Sequence, residues 1–501
     1  MDPRSQRRNT KPAEPPHIGI IGAGLAGLRC ADILLQHGFK VTIIEGRNRL
    51  GGRLTQQKLP NGHWVDIGPN WIHGTDDNPI LDLAKQTGTP AGTWDDQSHV
   101  FDEHGNKFPM DESERYSTIM WEIVQEAFDH ANKSSHEIGK DESLHDFFRL
   151  KVVEKFPEAE KDYEKKRRIL MQISEMWGAF VGSPIEKQSL KFFWLEECLE
   201  GENLFCAGTY RKILDVIAKP AATKADIKYE TRAKKLSYSA SGDDPVKVQT
   251  DKDQMLEFDE LVVTCPLGWL KRNLNAFDPK LPPELSNSIE SMGWGCLEKV
   301  YISFPKAFWK GKDSDNPGVQ GFVQWLAPNY APETNPEKWT QEVVELANLA
   351  PEASHPTLLF YIYGAQSEFV TRALTEAKDD MERTTFLESF FKPYYSRLPG
   401  YSEADPGCHP SNCLGTTWLQ DELAGYGSYT NFQAGLEDGD AHVVNMREGL
   451  PGNGLWLAGE HTAPFVALGT VTGAYWSGEA VGRRIAEAYG LPATGDKEGH
   501  T

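Results

Sequence analysis

Residues 17–53, HIGIIGAGLAGLRCADILLQHGFKVTIIEGRNRLGGR, constrain the fold more tightly than any other stretch. An apolar run from Ile18 to Ile21 leads into the turn Gly22-Ala23-Gly24-Leu25-Ala26-Gly27. A helical stretch to about Gln36 follows, then a second apolar run, Val41 to Ile44, which ends on Glu45. Strand, glycine turn, helix, strand and acid within one such unit form the dinucleotide-binding fingerprint. Gly22 makes the tight turn, Gly24 admits backbone close to a pyrophosphate, and Gly27 allows close helix packing. Ala26 occupies the turn between these glycines, at the start of a helix whose free N–H groups and dipole favour phosphate. Glu45 sits where a carboxylate accepts hydrogen bonds from ribose hydroxyls. This stretch alone allows either NAD or FAD.

The continuation, Gly46-Arg47-Asn48-Arg49-Leu50-Gly51-Gly52-Arg53, narrows the choice. Here the chain resembles the flavin-containing amine oxidase family, whose FAD site continues as E-x-R-x-R-x-G-G-R. The resemblance implies cofactor contacts for Arg47, Gly52 and Arg53. Guanidinium forks suit pyrophosphate oxygens, and paired glycines bring backbone near them.

A chain of 501 residues is long for one core, so two lobes are expected. The net charge of −21 argues against a nucleic-acid-binding surface and suits a cationic substrate. It also suits an ordinary acidic surface. No stretch approaches an uninterrupted membrane span, and the polar segment 491–501 carries neither an anchor nor an SKL-type peroxisomal address. The first residues are polar and basic without an apolar core, which reads as a disordered tail and not a secretory signal. Seven scattered cysteines, at 30, 198, 206, 265, 296, 408 and 413, form no metal-ligand spacing. Together these features point to an intracellular, cytoplasmic protein, and the acceptor triplet Asn132-Lys133-Ser134 is discounted for that reason.

Further motifs extend the resemblance. His63 to Gly68 alternates like a strand and breaks at Gly68-Pro69. The family's equivalent segment passes along the flavin ring, which places Asn70 and Trp71 beside the cofactor. The sequence W-I-H-G resembles animal-type polyamine and spermine oxidases and implies that His73 faces substrate, although a structural turn histidine is the alternative. Residues 110–131, 144–148 and 159–180 read as amphipathic helices. Glu186, Glu196, Glu197, Glu200 and Glu202 read as a solvated face, with an acidic tunnel mouth as the alternative.

From about residue 203 the cofactor lobe resumes with a helix over 208–218 and a strand at 227–229. Thr231-Arg232-Ala233 matches the family strand that presents backbone to adenine, at Ala233. Val246 to Val248 and Leu261 to Thr264 are expected to frame a small antiparallel unit, closed by Cys265-Pro266-Leu267-Gly268, in which Cys265 is a buried thiol. Val300 to Phe304 alternates as a strand, and Lys299 opens it. The family places its active-site lysine there, holding a water against flavin N5. Residues 381–391 read as a helix. Trp418 resembles a tryptophan that lies against the ring. Ser428 replaces the cysteine that binds FAD covalently in the monoamine oxidases, so FAD is expected to be noncovalent. The closing segment carries Glu460, implied to meet the ribityl or phosphate region, and Thr470-Val471, implied to meet the pyrimidine edge. Plant-type polyamine oxidases carry tyrosine where Thr470 stands, so Thr470 is also a substrate-site position.

The reading is an α/β fold: a two-lobe, glutathione-reductase-like Rossmann domain for FAD, with a mixed α+β substrate domain of the amine oxidase type. The cofactor domain is assigned to 16–75, 203–275 and 430–490, and the substrate domain to 76–202 and 276–429. Residues 1–15 and 491–501 are assigned as tails. The expected reaction is oxidation of a polyamine by FAD and dioxygen, giving an aldehyde, a shorter amine and hydrogen peroxide. Lys299 and His73 are the catalytic candidates. A histone-lysine-demethylase-like enzyme, an L-amino-acid oxidase and a non-catalytic FAD-binding interaction protein stay open. Neither the preferred polyamine nor the oligomeric state is legible.

Overall fold

A computed structural model of the protein describes residues 8, 14–94, 98–313 and 316–491. In chain order the principal elements are β1 (His17–Ile21), α1 (Leu25–Gln36), β2 (Lys40–Ile44), β3 (Ser98–Phe101) and α2 (Met110–Ser134). Then come α3 (Arg211–Lys224), β4 (Asp226–Lys228), β5 (Ala233–Ser237), β6 (Val246–Thr250), β7 (Met255–Phe258) and β8 (Glu260–Val263). The last third supplies β9 (Leu297–Ser303), β10 (Phe322–Trp325), β11 (Gln341–Glu345), β12 (Thr357–Tyr363), β13 (Asn412–Gly415), β14 (Leu455–Leu457) and α4 (Val471–Ala488).

One sheet is parallel throughout, in the order β14-β8-β1-β2-β4. Its strands are apolar on both faces because both faces are covered. Ile18, Ile20, Val41, Ile43 and Val262 pack against residues of α1, α3 and α4. Ile21, Ile44, Leu261 and Val263 pack against the antiparallel strands β5, β6 and β7 and the segment around Leu267 and Leu270. The expected pairing of Val246–Val248 with Leu261–Thr264 does not occur. Val246–Gln249 pairs with Met255–Phe258, while Leu261–Val263 joins the parallel sheet between β1 and β14. An apolar run satisfies either neighbour locally; burial on both faces selects the parallel one.

The second sheet has the order β13-β9-β12-β11-β10-β3 and is antiparallel except at β10–β3. Alternation splits its side chains. Val300, Val323, Val343 and Phe360 enter one core. Tyr301, Val344, Leu359 and Tyr361, with Leu297 and Phe322, enter another that also contains Trp71 and Trp94. The helices expected over 110–131, 144–148 and 381–391 are present and longer, at Met110–Ser134, Leu144–Lys155 and Asp380–Tyr395. The stretch 159–180 is helical over Tyr163–Ser174 and continues as short turns to Val181. The helix expected over 208–218 begins at Arg211 and runs to Lys224. Among the described residues no helix is long and apolar enough to cross a membrane.

The expected tails lie mostly outside the described residues. Of the residues described there, Arg8 is buried, with its Nε 3.0 Å from Glu260 Oε1 and its guanidinium over Trp456.

Close backbone contact joins α1 to α4. A Cβ added at Gly478 would stand 2.1 Å from the carbonyl oxygen of Ala26. Gly478→Ala is therefore expected to destabilise the protein by about 1–3 kcal/mol, outweighing the roughly 1 kcal/mol that Ala contributes in a helix. Gly452→Ala, where a Cβ meets nothing within 4 Å, should be close to neutral. Thermal unfolding followed by circular dichroism compares the two.

Candidate active site

The carboxyl end of the parallel sheet opens into a cavity of about 1870 Å³ that runs on to the second sheet. This exceeds the roughly 300–1,000 Å³ of a small-ligand site, leaving room for a dinucleotide and a second molecule. Three backbone features build its first end. Gly22 adopts a φ of 101°, which turns the chain sharply from β1 to α1. A Cβ at Gly24 would meet nothing, so this position opens onto the cavity, whereas a Cβ at Gly27 would strike the Gly22 carbonyl at 2.1 Å. Gly27 is therefore a packing position and does not line the cavity. Glu45 accepts hydrogen bonds from Ala23 N and Arg47 N, both at 2.7 Å, and thereby fixes the turn against the next loop.

Arg47 directs its guanidinium to Asp421 at 2.9 Å. Gly51 N donates to Ala23 O at 2.8 Å, which lays Gly51 and Gly52 on the glycine turn. Arg53 Nη1 lies 3.1 Å from Glu460 Oε1 and donates to Ser428 O. Burial raises the pKa of Glu460, and the Arg53 charge and hydrogen bond oppose that rise. Ala233, at the start of β5, lines the same end. Thr470 caps α4, its hydroxyl accepting from Gly473 N at 2.9 Å, so the N-terminus of α4 at Val471 faces the cavity. These walls combine two helix N-termini with open glycine backbone, a donor set that fits the phosphates of a dinucleotide.

The other end carries side chains of the second sheet. Lys299 is buried on β9, and its Nζ donates to Gly68 O. Burial lowers the lysine pKa, with the charges of Asp66 and Glu298 opposing. Burial likewise raises Asp66, whose carboxylate accepts from Gln56 Nε2 and Tyr210 N. Asn70 donates to the Tyr301 hydroxyl and accepts from Tyr361, both at 3.1 Å, while Trp71 Nε1 donates to the same Tyr361 hydroxyl. Trp418 Nε1 donates to Ile67 O at 2.9 Å. His73, part-buried in the cavity wall, meets Asn203 Oδ1 at 3.3 Å; desolvation lowers its pKa and the Asn203 contact opposes this.

Of the residues singled out from sequence, Gly22, Gly24, Ala26, Glu45, Arg47, Gly52, Arg53, Asn70, Trp71, His73, Ala233, Lys299, Trp418, Glu460, Thr470 and Val471 all line this one cavity. The solvated-face reading of the glutamates needs correction in part. Glu196 and Glu197 are part-buried and line the cavity, Glu202 lines it but is exposed, and Glu186 and Glu200 are exposed outside it. Glu196 accepts from Phe432 N and is pushed up to about 8 by burial. Cys265 is buried with its thiol pushed up by burial, as expected. Missed were Trp94, Phe322, Glu342 and Tyr361, and the α2 face bearing Glu114, Trp121 and Gln125. The α2 stripe recurs at helical spacing, but its period does not say which side meets a cavity. Among the described residues no group of His, Cys, Asp and Glu is arranged to hold a metal.

The glycine turn of the parallel sheet and the buried lysine of the antiparallel sheet thus stand at the two ends of one cavity. The chain belongs to the family of flavin containing amine oxidoreductases, whose model matches residues 25–486. It is 29% identical over 378 residues to probable polyamine oxidase 4 of Arabidopsis thaliana, covering 72% of this chain and 69% of the relative. Polyamine oxidase 2 of the same plant is 26% identical over 491 residues, covering 95% and 90%. Lysine-specific histone demethylase 1 homolog 3 of Oryza sativa subsp. japonica is 26% identical over 485 residues, covering 93% of this chain and 54% of the relative. A solved structure of a putrescine oxidase redesigned in cofactor binding shares the fold, with a TM-score of 0.66 at 18% identity and coverage of 95% and 100%.

Arg53→Met leaves the buried Glu460 carboxyl without its counter-charge. Flavin retained through gel filtration should fall by about tenfold or more, and Arg53→Lys should recover part of it. Absorbance at the flavin band per mole of protein measures this.

Proposed function

We propose that the protein oxidises polyamines, spermine or spermidine or their N-acetylated forms, at a carbon–nitrogen bond, using noncovalent FAD and dioxygen. The products are an aldehyde, a shorter amine and hydrogen peroxide. When bound, FAD supplies the hydride acceptor and the route to dioxygen. The observation that carries the reading is Lys299, buried in the wall that also holds His73 and Trp71, in a chain whose family acts on amines. Two of the relatives, at 29% and 26% identity, are named as polyamine oxidases, which supports a polyamine substrate.

The chain's residues divide the work. Aromatic walls at Trp71, Trp94 and Phe322 exclude water and hold an aliphatic chain. Hydride transfer needs a nitrogen lone pair, so a neutral amine must be delivered from a substrate that is mostly ammonium in water. His73, with its lowered pKa, accepts a hydrogen bond from that nitrogen. Lys299, lowered by burial and held on Gly68 O, serves as a proton acceptor or holds a water. Glu196, Glu197 and Glu202 supply carboxyl groups towards a cationic chain. Ser428 stands where a covalent link would need a thiol, and its hydroxyl accepts from Leu297 N at 3.2 Å.

Three measurements test this reading. Anaerobic bleaching of the flavin should occur with at least one of spermine, spermidine and their N-acetyl forms, and Lys299→Met should slow peroxide production about a hundredfold. No bleaching by any amine of that set, or an unchanged rate in the variant, overturns the assignment. Acid precipitation should release all the flavin into the supernatant; yellow colour left in the pellet would mean a covalent bond.

A further inference from the structure

The second sheet places four polar side chains in one row. Across the strands, Lys299 on β9 pairs with Tyr361 on β12, Tyr361 with Glu342 on β11, and Glu342 with Gln324 on β10. Directly paired residues share a face, and Lys299, Tyr361 and Glu342 all line the cavity. Glu342 is 6% exposed, and Gln324 Nε2 at 3.0 Å meets one of its oxygens. Trp71 and Phe322 stack 6.0 Å apart beside this row. The result is an apolar trough with a lysine at one end and a buried carboxyl at the other. Burial pushes that carboxyl up to about 7, with the Gln324 hydrogen bond opposing, and an approaching cation favours its charged form.

We infer that Glu342 is the specificity-determining residue that receives a second, remote ammonium of the substrate, so that the amine reacting near Lys299 is selected by its distance from another nitrogen. The inference rests on the polyamine reading above. Lengths agree with it. Strands lie about 4.8 Å apart, so two steps from β9 to β11 span about 10 Å. Extended chains cover about 3.8 Å per three bonds, which places nitrogens joined by three or four carbons roughly 5–6 Å apart. A hydrogen bond of about 2.8 Å to the carboxylate then brings the reacting nitrogen to the Lys299 end. A monoamine of the same width fills the trough and leaves Glu342 unsatisfied.

Glu342→Gln keeps the shape and the partner Gln324 but removes the charge. The ratio of kcat/KM for spermidine to that for a primary alkyl monoamine should fall by roughly thirtyfold or more, mainly through KM for spermidine. Flavin content reports folding, and Glu342→Asp, which keeps the charge, should retain most of the preference. Equal losses for both substrates would make Glu342 a structural residue, and an unchanged ratio would mean no contact; either overturns the inference. A wild type with no preference for polyamine over monoamine overturns the polyamine reading as well, whereas a preference that survives Glu342→Gln overturns this inference alone.

Discussion

Backbone approaching backbone without an intervening side chain is the constraint on which the rest of the structure depends. Around residues 22–27 a Cβ at Gly27 would overlap the Gly22 carbonyl, and one at Gly478 would overlap that of Ala26. Gly51 N meets Ala23 O in the same place. Three chain segments distant in sequence therefore converge on one turn, and each contributes N–H groups or open backbone to the cavity. Side chains here would widen the junction by ångströms and pull the helix N-termini back from the cavity they line.

Electrostatics follows from that packing. Several carboxyl groups and an amine are taken out of water around one cavity, and burial dominates each pKa shift. Some have direct partners, as Glu460 has Arg53. Others, such as Asp66 and Lys299, oppose each other's desolvation at longer range. Glu342 has only an amide beside it. Buried acids with weak compensation are costly in a sealed core and persist where a charged ligand completes them. The net charge of the chain says little about this, because the decisive carboxyl groups are few and inside.

Much of the fold and one end of the site were legible in the sequence. The turn at residues 22–27 and the acid at 45 have fixed spacing within one local unit, so periodicity and motif suffice. Lys299 and Glu460 were found only through resemblance, since neither a strand-edge lysine nor a glycine-turn acid is distinctive by itself. The misplacement of Leu261–Val263 has a plain cause: four apolar residues state that they are buried but not beside which strand. Glu342 carried no signal at all. Its place opposite Tyr361 depends on strand register over long separations, and a glutamate in QEVVE reads as readily on a surface as in a trough.

The contact between α1 and α4 also has a consequence in time. The turn that begins the cofactor bed is made within the first tenth of the chain, yet the helix that packs on it at Gly478, and pairs Glu479 with Arg29, comes at the very end. While the ribosome is still at work, the amino-terminal unit has its phosphate turn but neither its Glu460 partner nor the second helix N-terminus. A chain that stops short of α4 therefore carries the glycine-turn sequence without the helix that packs on that turn.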